Sequence, residues 1–459
     1  MKRSGRQFST SYRIETFNDM NCIPALCRSG RRRRLSTAKA PAVPRLLVIT
    51  AMIAASVCRL PASESAEADQ DSSRSYQLEY VVTPDAAAGG AWVEMKLSQT
   101  SHLLREVNMR APAEKISAAG GDGEISLANE RLIWTPPPAG GSLRWFALIN
   151  HHRNGESYDA LITADWAIFR AEDVIPQAAT RALRDAASET TLRFNLPPGW
   201  SSMTEYFGRD HSYRIRNSQR RFDRPAGWII LGDIGVRYDR IAGLRVNVAA
   251  PKNQGMRRTD ILALLRWTLP EVLRIVPDFP KRLTVVGAGD PMWRGGLSGP
   301  QSLFIHADRP LISENATSTL LHEIMHIALG GGGDDGTDWI VEGLAEYYSL
   351  AILHRSGTIS DRRYAAAIRK QADWGSSVNK LCGSISSGAI TARAVAILSD
   401  LDSEIRTMSN DRKSLDDVMV ALAASDHAIT LGAFAAIVRQ LAGSDPEALN
   451  ASNLPGCEI

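Results

Sequence analysis

Apolar and polar residues alternate with a period of two through a long region after the N-terminal segment. The alternation is clearest at residues 76–82, 93–98, 192–196 and 244–248, and clusters of proline and glycine separate these runs. A period of two with such breaks is typical of β-strands that bury one face. We therefore predict an antiparallel β-sandwich over residues 75–248, with an antiparallel barrel as the alternative.

Downstream of this region the spacing of apolar positions lengthens to that of an α-helix. Residues 259–276 predict an amphipathic helix, which Pro270 should kink or split in two. Short strands are predicted at 283–286 and 303–305, with a glycine-rich loop at 295–299 between them. This part of the chain therefore has mixed α+β character.

Helical periodicity continues to the C-terminal end of the chain. The predicted helices of this region are 362–372, 389–408, 415–423 and 432–441. The expected fold class is α+β with several domains. The predicted division is a leader with a disordered segment over 1–70, a β-sandwich over 75–248, an α+β domain over 249–350 and a helical domain over 351–459.

Charge is distributed unevenly along the chain. The 459 residues carry a formal net charge of +3, but residues 1–60 hold 12 Lys and Arg against 2 Asp and Glu. The remaining residues therefore carry a net charge of −7. Because this larger part has no basic excess, we predict no binding of nucleic acid or of an anionic membrane surface.

The leader has the pattern of a secretory signal. Four arginines at 31–34 precede an apolar core at 46–57, and the sequence Ala-Glu-Ala at 66–68 fits a cleavage site. The apolar core is too short to span a bilayer comfortably. We predict a periplasmic or secreted protein with no stable membrane span after signal removal. An uncleaved signal anchor is the alternative, and Met20 is an alternative start.

Two of the five cysteines lie outside the leader. Cys22, Cys27 and Cys58 belong to the leader, whereas Cys382 and Cys457 belong to the folded region. In an oxidising compartment an isolated pair is a candidate disulfide. Two separate buried thiols are the alternative.

Residues 317–348 contain the chain's strongest chemical signal. His322, Glu323 and His326 form the motif H-E-x-x-H on a segment whose apolar residues have helical spacing. Positions i and i+4 share one face of a helix, so both imidazoles can bind one ion. In this motif the two histidines bind zinc and the glutamate acts as general base. We therefore predict one bound Zn²⁺ ion.

A second carboxylate helix follows at a suitable distance. Glu342 lies sixteen residues after His326, and the glycines at 330–333 allow the chain to reverse between the two helices. Glu342 is thus the predicted third zinc ligand. Glu346, one turn further on, is predicted to hydrogen-bond the free ring nitrogen of a zinc-binding histidine. An exposed helix carboxylate is the alternative for Glu346.

These motifs resemble those of the gluzincin metallopeptidases. The sequence HEIMH followed by DWIVEGLAEYY is most similar to the glycyl aminopeptidase family, and the membrane-alanyl aminopeptidases share its E-G-x-x-x-Y element. The segments 401–406 and 414–419 resemble the tail of the glycyl aminopeptidases. The resemblance implies a β-domain, a thermolysin-like catalytic domain and a helical tail, without the PDZ domain that members often carry. It assigns His322, His326 and Glu342 as ligands and Glu323 as base.

The chain departs from this family pattern at two positions. Ser298 replaces the family glutamate that binds the substrate's amino terminus, and Thr391 stands near the position of a tyrosine that steadies the reaction intermediate. Tyr347, Tyr348 and His306 are candidates to replace that tyrosine. Aminopeptidase specificity is therefore less well supported than zinc-dependent hydrolysis.

The expected function is that of a zinc metallopeptidase acting on a peptide or protein substrate. A metal-activated water attacks the peptide bond, and Glu323 serves as general base. A catalytically inactive, zinc-containing binding protein of the cell envelope is the alternative. Hydrolysis of a non-peptide amide is a third possibility.

Overall fold

A computed structural model describes residues 74–216, 222–425 and 427–457. The predicted signal core at 46–57 and the cleavage site at 66–68 lie outside these residues. The described part contains 21 strands in several sheets, followed by a region composed mainly of helices. This confirms the predicted α+β character and the helical C-terminal region, whereas the division into domains stays a prediction.

The N-terminal part is built almost entirely from strands. In chain order they are β1 (Ser75–Asp85), β2 (Gly90–Ser98), β3 (Leu104–Arg110), β4 (Ile116–Gly121), β5 (Glu124–Ala128), β6 (Arg131–Thr135), β7 (Gly140–Leu148), β8 (His151–Asn154), β9 (Ser157–Ile162), β10 (Trp166–Arg170), β11 (Ala178–Ala182), β12 (Ala187–Phe194), β13 (Ser201–Met203), β14 (Phe207–Arg209), β15 (Ser212–Ile215) and β16 (Trp228–Gly232). A short helix, α1 (Ala171–Val174), follows β10.

These strands form three sheets around a shared core. Their orders are β14-β15-β12-β1-β2-β7-β4, β13-β16-β10-β9-β8 and β11-β3-β6-β5. Alternate residues of β1, including Leu78, Tyr80 and Val82, are buried as the period of two predicts. The expectation of purely antiparallel pairing is wrong, because β1 and β12 run parallel. Alternation alone does not reveal strand direction, since it is the same in both kinds of sheet.

A fourth sheet, seven α-helices and a short 3₁₀-helix (Glu447–Leu449) provide the regular structure of the rest of the described chain. The strands are β17 (Ile234–Ile241), β18 (Leu244–Pro251), β19 (Arg282–Val286), β20 (Gly296–Gly299) and β21 (Ser302–Ile305), in the order β17-β18-β19-β21-β20. The helices are α2 (Arg258–Ile275), α3 (Thr319–Leu329), α4 (Asp338–Arg355), α5 (Asp361–Gly375), α6 (Ala389–Ser409), α7 (Leu415–Ala423) and α8 (Leu431–Ala442). One hydrophobic core joins this sheet to the helices.

Four of the five residues of the predicted glycine-rich loop at 295–299 form the edge strand β20, and only Gly295 lies outside it. Strand β20 pairs antiparallel with β21, which is paired with β19 on its other side. A Cβ atom at Gly296 would lie 2.7 Å from Cγ2 of Thr319 and 2.8 Å from Cγ of Glu323. Glycine is therefore required here because the backbone of β20 runs directly against α3.

Helix α2 contains Pro270, the residue predicted to kink it or split it in two. It continues past Pro270 as one helix, and Pro270 lies on its exposed side. The carbonyl that proline leaves without a donor belongs to Arg266, which is also exposed, so water can hydrate it.

None of the helices in the described residues combines the length and the apolar character needed to cross a membrane.

Candidate metal centre

Helix α3 holds the H-E-x-x-H motif inside the core. Its start is capped by Ser318, whose hydroxyl accepts a hydrogen bond from the backbone N–H of Leu321 at 3.4 Å. It ends at Gly330, which adopts the left-handed conformation with φ 69°. The helix is apolar on nearly all sides and every residue from 320 to 329 is buried. Its polar side chains are consequently shielded from bulk water.

Helix α4 brings a third side chain to the two histidines. Glu342 is only 3% exposed, and its Oε2 lies 3.2 Å from Nε2 of His322. Its Oε1 lies 3.4 Å from Nε2 of His326, and the two Nε2 atoms are 3.0 Å apart. One ligand atom from each residue lies within 4.8 Å of the others. The structure thus brings together the three predicted ligands.

The chemistry of this cluster fits a zinc ion. Two imidazole nitrogens and a carboxylate oxygen form a donor set that catalytic zinc takes from proteins. Oε1 of Glu342 is buried without a hydrogen bond, which is costly unless a cation compensates it. The side chains of His322, His326 and Glu342 could therefore hold a divalent metal ion.

Glu346 lies behind this cluster, on the same face of α4 as Glu342. Its Oε2 lies 3.1 Å from Nδ1 of His322, the ring nitrogen that points away from the cluster. Such a contact fixes the ring orientation and leaves Nε2 with a free lone pair for a metal. Burial lowers the pKa of His322, but the hydrogen bonds to Glu342 and Glu346 raise it overall, well above its ordinary value.

Glu323 lies beside the cluster at the edge strand. Burial raises the pKa of its carboxyl group to about 7, and hydrogen bonds from Ser298 partly oppose that shift. Burial also lowers the pKa of His326 to about 4, which favours the neutral imidazole that binds metals. A carboxyl group with a pKa near neutrality can both accept and return a proton.

The structure does not bring Tyr347 and Tyr348 to the cluster. The hydroxyl of Tyr347 donates to Asp402 at 3.2 Å, and that of Tyr348 donates to Asp416 at 3.1 Å. Both tyrosines are buried, and these hydrogen bonds connect α4 to the helices packed against it. The third candidate, His306, is also buried, with its Nδ1 accepting from the N–H of Asp308 at 3.2 Å.

Arg309 is a cation near the cluster that the sequence does not reveal. Its Nε and Nη2 donate to Oγ1 of Thr319 at 3.2 and 2.8 Å. Burial lowers the pKa of Arg309, and the negative charges of Glu346 and Glu323 oppose that shift. Arg309 lies in the connection between β21 and α3, where no periodicity applies, so only the fold places it.

Comparison with solved structures finds a similar fold. The chain resembles an aminopeptidase N family protein from Idiomarina loihiensis with a TM-score of 0.58 and 16% sequence identity. The match covers 75% of this chain and 70% of that protein. At this identity the likeness concerns the fold. No protein-family model matches the chain, and no curated protein matches it in sequence.

Proposed function

We propose that the chain is a zinc-dependent metallopeptidase of the gluzincin type, with a thermolysin-like catalytic region. The observation that carries the proposal is the convergence of His322, His326 and Glu342, with Glu323 beside them. The fold shared with an aminopeptidase N family protein supports a peptide or protein substrate. In the proposal these three residues bind one Zn²⁺ ion.

Each of the chain's own residues then has a defined task. When bound, zinc supplies Lewis-acid chemistry and lowers the pKa of a coordinated water. Glu323 accepts a proton from the attacking water and passes it to the leaving amine. Glu346 holds the ring of His322 in place through Nδ1. Tyr347 and Tyr348 receive no role, because their hydroxyls are bonded to other carboxylates.

The edge strand β20 provides a surface for an extended substrate. Strand β21 is paired on both sides, so the free edge of this sheet beside α3 belongs to β20. A peptide adding to this edge would run past Glu323, which contacts the position of Gly296. Ser298 on the same strand is close enough to Glu323 to lower the pKa of its carboxyl group. This arrangement supports cleavage within an extended peptide. It does not identify a carboxylate that would bind the amino terminus of a substrate.

We also propose a periplasmic or secreted location. The structure joins Cys382 and Cys457 in a disulfide, which confirms the predicted pairing. Disulfides persist in oxidising compartments, so this bond agrees with the secretory pattern of the leader. Fractionation of cells that express the full chain tests the location, and recovery of the mature protein only from the cytoplasm would contradict it.

Digestion of a peptide library tests the proposed activity. The wild type loaded with Zn²⁺ should cleave peptides, and Glu323→Gln should reduce the rate by about 10²- to 10⁴-fold, which is the usual contribution of a general base. Glu314 is an exposed glutamate in the preceding connection, so Glu314→Gln is the matched control and should keep full activity. Zinc content measured on all three proteins separates loss of metal from loss of the base.

The alternative is a zinc-containing binding protein without catalytic activity. The replacement of the family's amine-binding glutamate by Ser298 is the observation that favours it. The buried carboxyl of Glu323, with its pKa near neutrality, argues against it. A wild type that takes up zinc but cleaves no member of the library would support the binding protein and contradict the peptidase.

A further inference from the structure

Arg309 is a partly buried guanidinium without a carboxylate partner. Its only hydrogen-bond acceptor for the side chain, among the residues described, is Oγ1 of Thr319, which both Nε and Nη2 share. No carboxylate of the described chain lies within 4.0 Å of it. Buried cations are ordinarily paired with an anion, so this arrangement calls for an explanation.

The position of Arg309 relates it directly to the general base. Thr319 and Glu323 are spaced i and i+4 on α3, and both side chains contact the position of Gly296. Thr319, which binds the guanidinium, therefore lies on the face of α3 that carries Glu323, about 6 Å from it along the helix axis and towards the N-terminus. The charges of Glu323 and Glu346 both act on Arg309.

This distance suits a substrate residue close to the reacting bond. Successive residues of an extended peptide rise by about 3.3 Å, so a residue one or two positions from the reacting bond can reach a group about 6 Å from Glu323. The planar fork of arginine binds carboxylates with two parallel hydrogen bonds. Strand β20 carries Ser298 at the position where the family has the glutamate that binds the substrate's amino terminus. The proposed substrate surface therefore has a cation beside it.

We propose that Arg309 forms a carboxylate-binding subsite beside the reacting bond. It binds the negatively charged group of the residue that adjoins that bond, either an acidic side chain or a free C-terminal carboxylate. Arg309 is thus a specificity-determining residue, and Thr319 holds its guanidinium in place. The inference rests on the proposed peptidase function and deepens it by naming the substrate class as peptides with an acidic group at the cleavage site.

The first test compares matched peptides on the full chain loaded with Zn²⁺. Peptides with Asp or Glu beside the cleaved bond are paired with their Asn or Gln forms, and free C-termini are paired with amides. The wild type should show a KM for the acidic member that is lower by about 10- to 100-fold, as a charged hydrogen-bonded pair implies. The two kinds of pair distinguish a side-chain carboxylate from a terminal one.

Three variants connect this preference to the guanidinium. Arg309→Gln should abolish the KM difference while changing kcat little for the neutral peptides, and Arg309→Lys should retain part of the difference. Arg294 lies in a neighbouring loop and is already paired with Asp290, so Arg294→Gln is the matched control and should behave as wild type. A merely structural role for Arg309 would alter acidic and neutral peptides equally.

A binding measurement supplies a readout that does not depend on turnover. A peptide hydroxamate with a free carboxylate and its amide twin are titrated calorimetrically into the zinc-loaded wild type and Arg309→Lys. Tighter binding of the acid by the wild type, reduced in Arg309→Lys, supports the subsite. Equal binding of both probes by a zinc-loaded wild type overturns the subsite alone, whereas a wild type that takes up no zinc overturns the subsite and the peptidase together.

Discussion

Gly343 stands next to Glu342, a proposed zinc ligand, at the place where α4 packs against α6. A Cβ atom added at Gly343 would lie 2.6 Å from Cβ of Ala394 and 3.0 Å from Cδ1 of Leu398. Optimal separations between such carbon atoms are about 3.5–4.0 Å. The substitution Gly343→Ala therefore forces α4 and α6 apart or displaces α4, and Glu342 moves with it.

Two opposing terms determine the size of this effect. Alanine in a helix interior is favoured over glycine by about 1 kcal/mol. Overpacking a tight core costs about 1–3 kcal/mol, and a contact that is short by about 1 Å belongs in the upper part of that range. We expect Gly343→Ala to lower the free energy of unfolding by up to about 2 kcal/mol. We also expect weaker zinc binding, because the geometry of Glu342 is disturbed.

Urea denaturation and calorimetric zinc titration measure the two consequences. Gly432 in α8 is the matched control, because an added Cβ there meets no atom within 4 Å. Gly432→Ala should therefore stabilise the protein by up to about 1 kcal/mol and leave zinc affinity unchanged. If Gly343→Ala were as stable as Gly432→Ala with wild-type zinc affinity, the reasoning from close helix packing would be refuted.

Three further predictions concern other parts of the structure. Glu346→Gln should weaken zinc binding by about 10- to 100-fold, measured by calorimetry, because the contact that orients His322 is weakened. Replacing Cys382 and Cys457 by serine should lower the free energy of unfolding, measured in urea, by up to about 4.5 kcal/mol, the loop entropy for their sequence separation of 75. Burial raises the pKa of Asp338 from 3.8 to about 6, so the folded protein keeps this proton at pH values where the unfolded chain loses it. Stability should therefore fall as pH rises from about 4 to about 6, and thermal melts of Asp338→Asn should lack that part of the fall.

Each of these predictions has a clear opposite outcome. Unchanged zinc affinity in Glu346→Gln would show that the carboxylate does not orient the histidine. Equal stability of the wild type and the double serine variant would show that the disulfide does not stabilise the fold. The control is the same comparison under reducing conditions. A pH profile of Asp338→Asn that matches the wild type would place the titration on another group.

The helices near the candidate metal centre could be predicted because their signals are local. The spacing of His322 and His326 determines a shared helix face without any knowledge of the rest of the chain. The glycines after α3 indicated a reversal that brings Glu342 back to the histidines. The predicted strands at 283–286 and 303–305 also correspond to β19 and β21.

Features that depend on distant contacts could not be predicted in this way. Strand β20 was missed because its glycines are typical of loops, and their cause is the close approach of α3 to Gly296. The hydroxyls of Tyr347 and Tyr348 are bonded to carboxylates of α6 and α7, which no local pattern indicates. The contact of Arg309 with Thr319 likewise depends on the course of the connection before α3.

Zinc stoichiometry of the purified full chain tests the central proposal most directly. Elemental analysis after zinc loading and dialysis should give one ion per chain for the wild type and for His354→Ala, which alters an imidazole at the far end of α4. The same measurement should give no retained ion for the double variant His322→Ala/Glu342→Ala. A wild type without zinc, or a double variant that retains one ion per chain, would contradict the proposed metal centre.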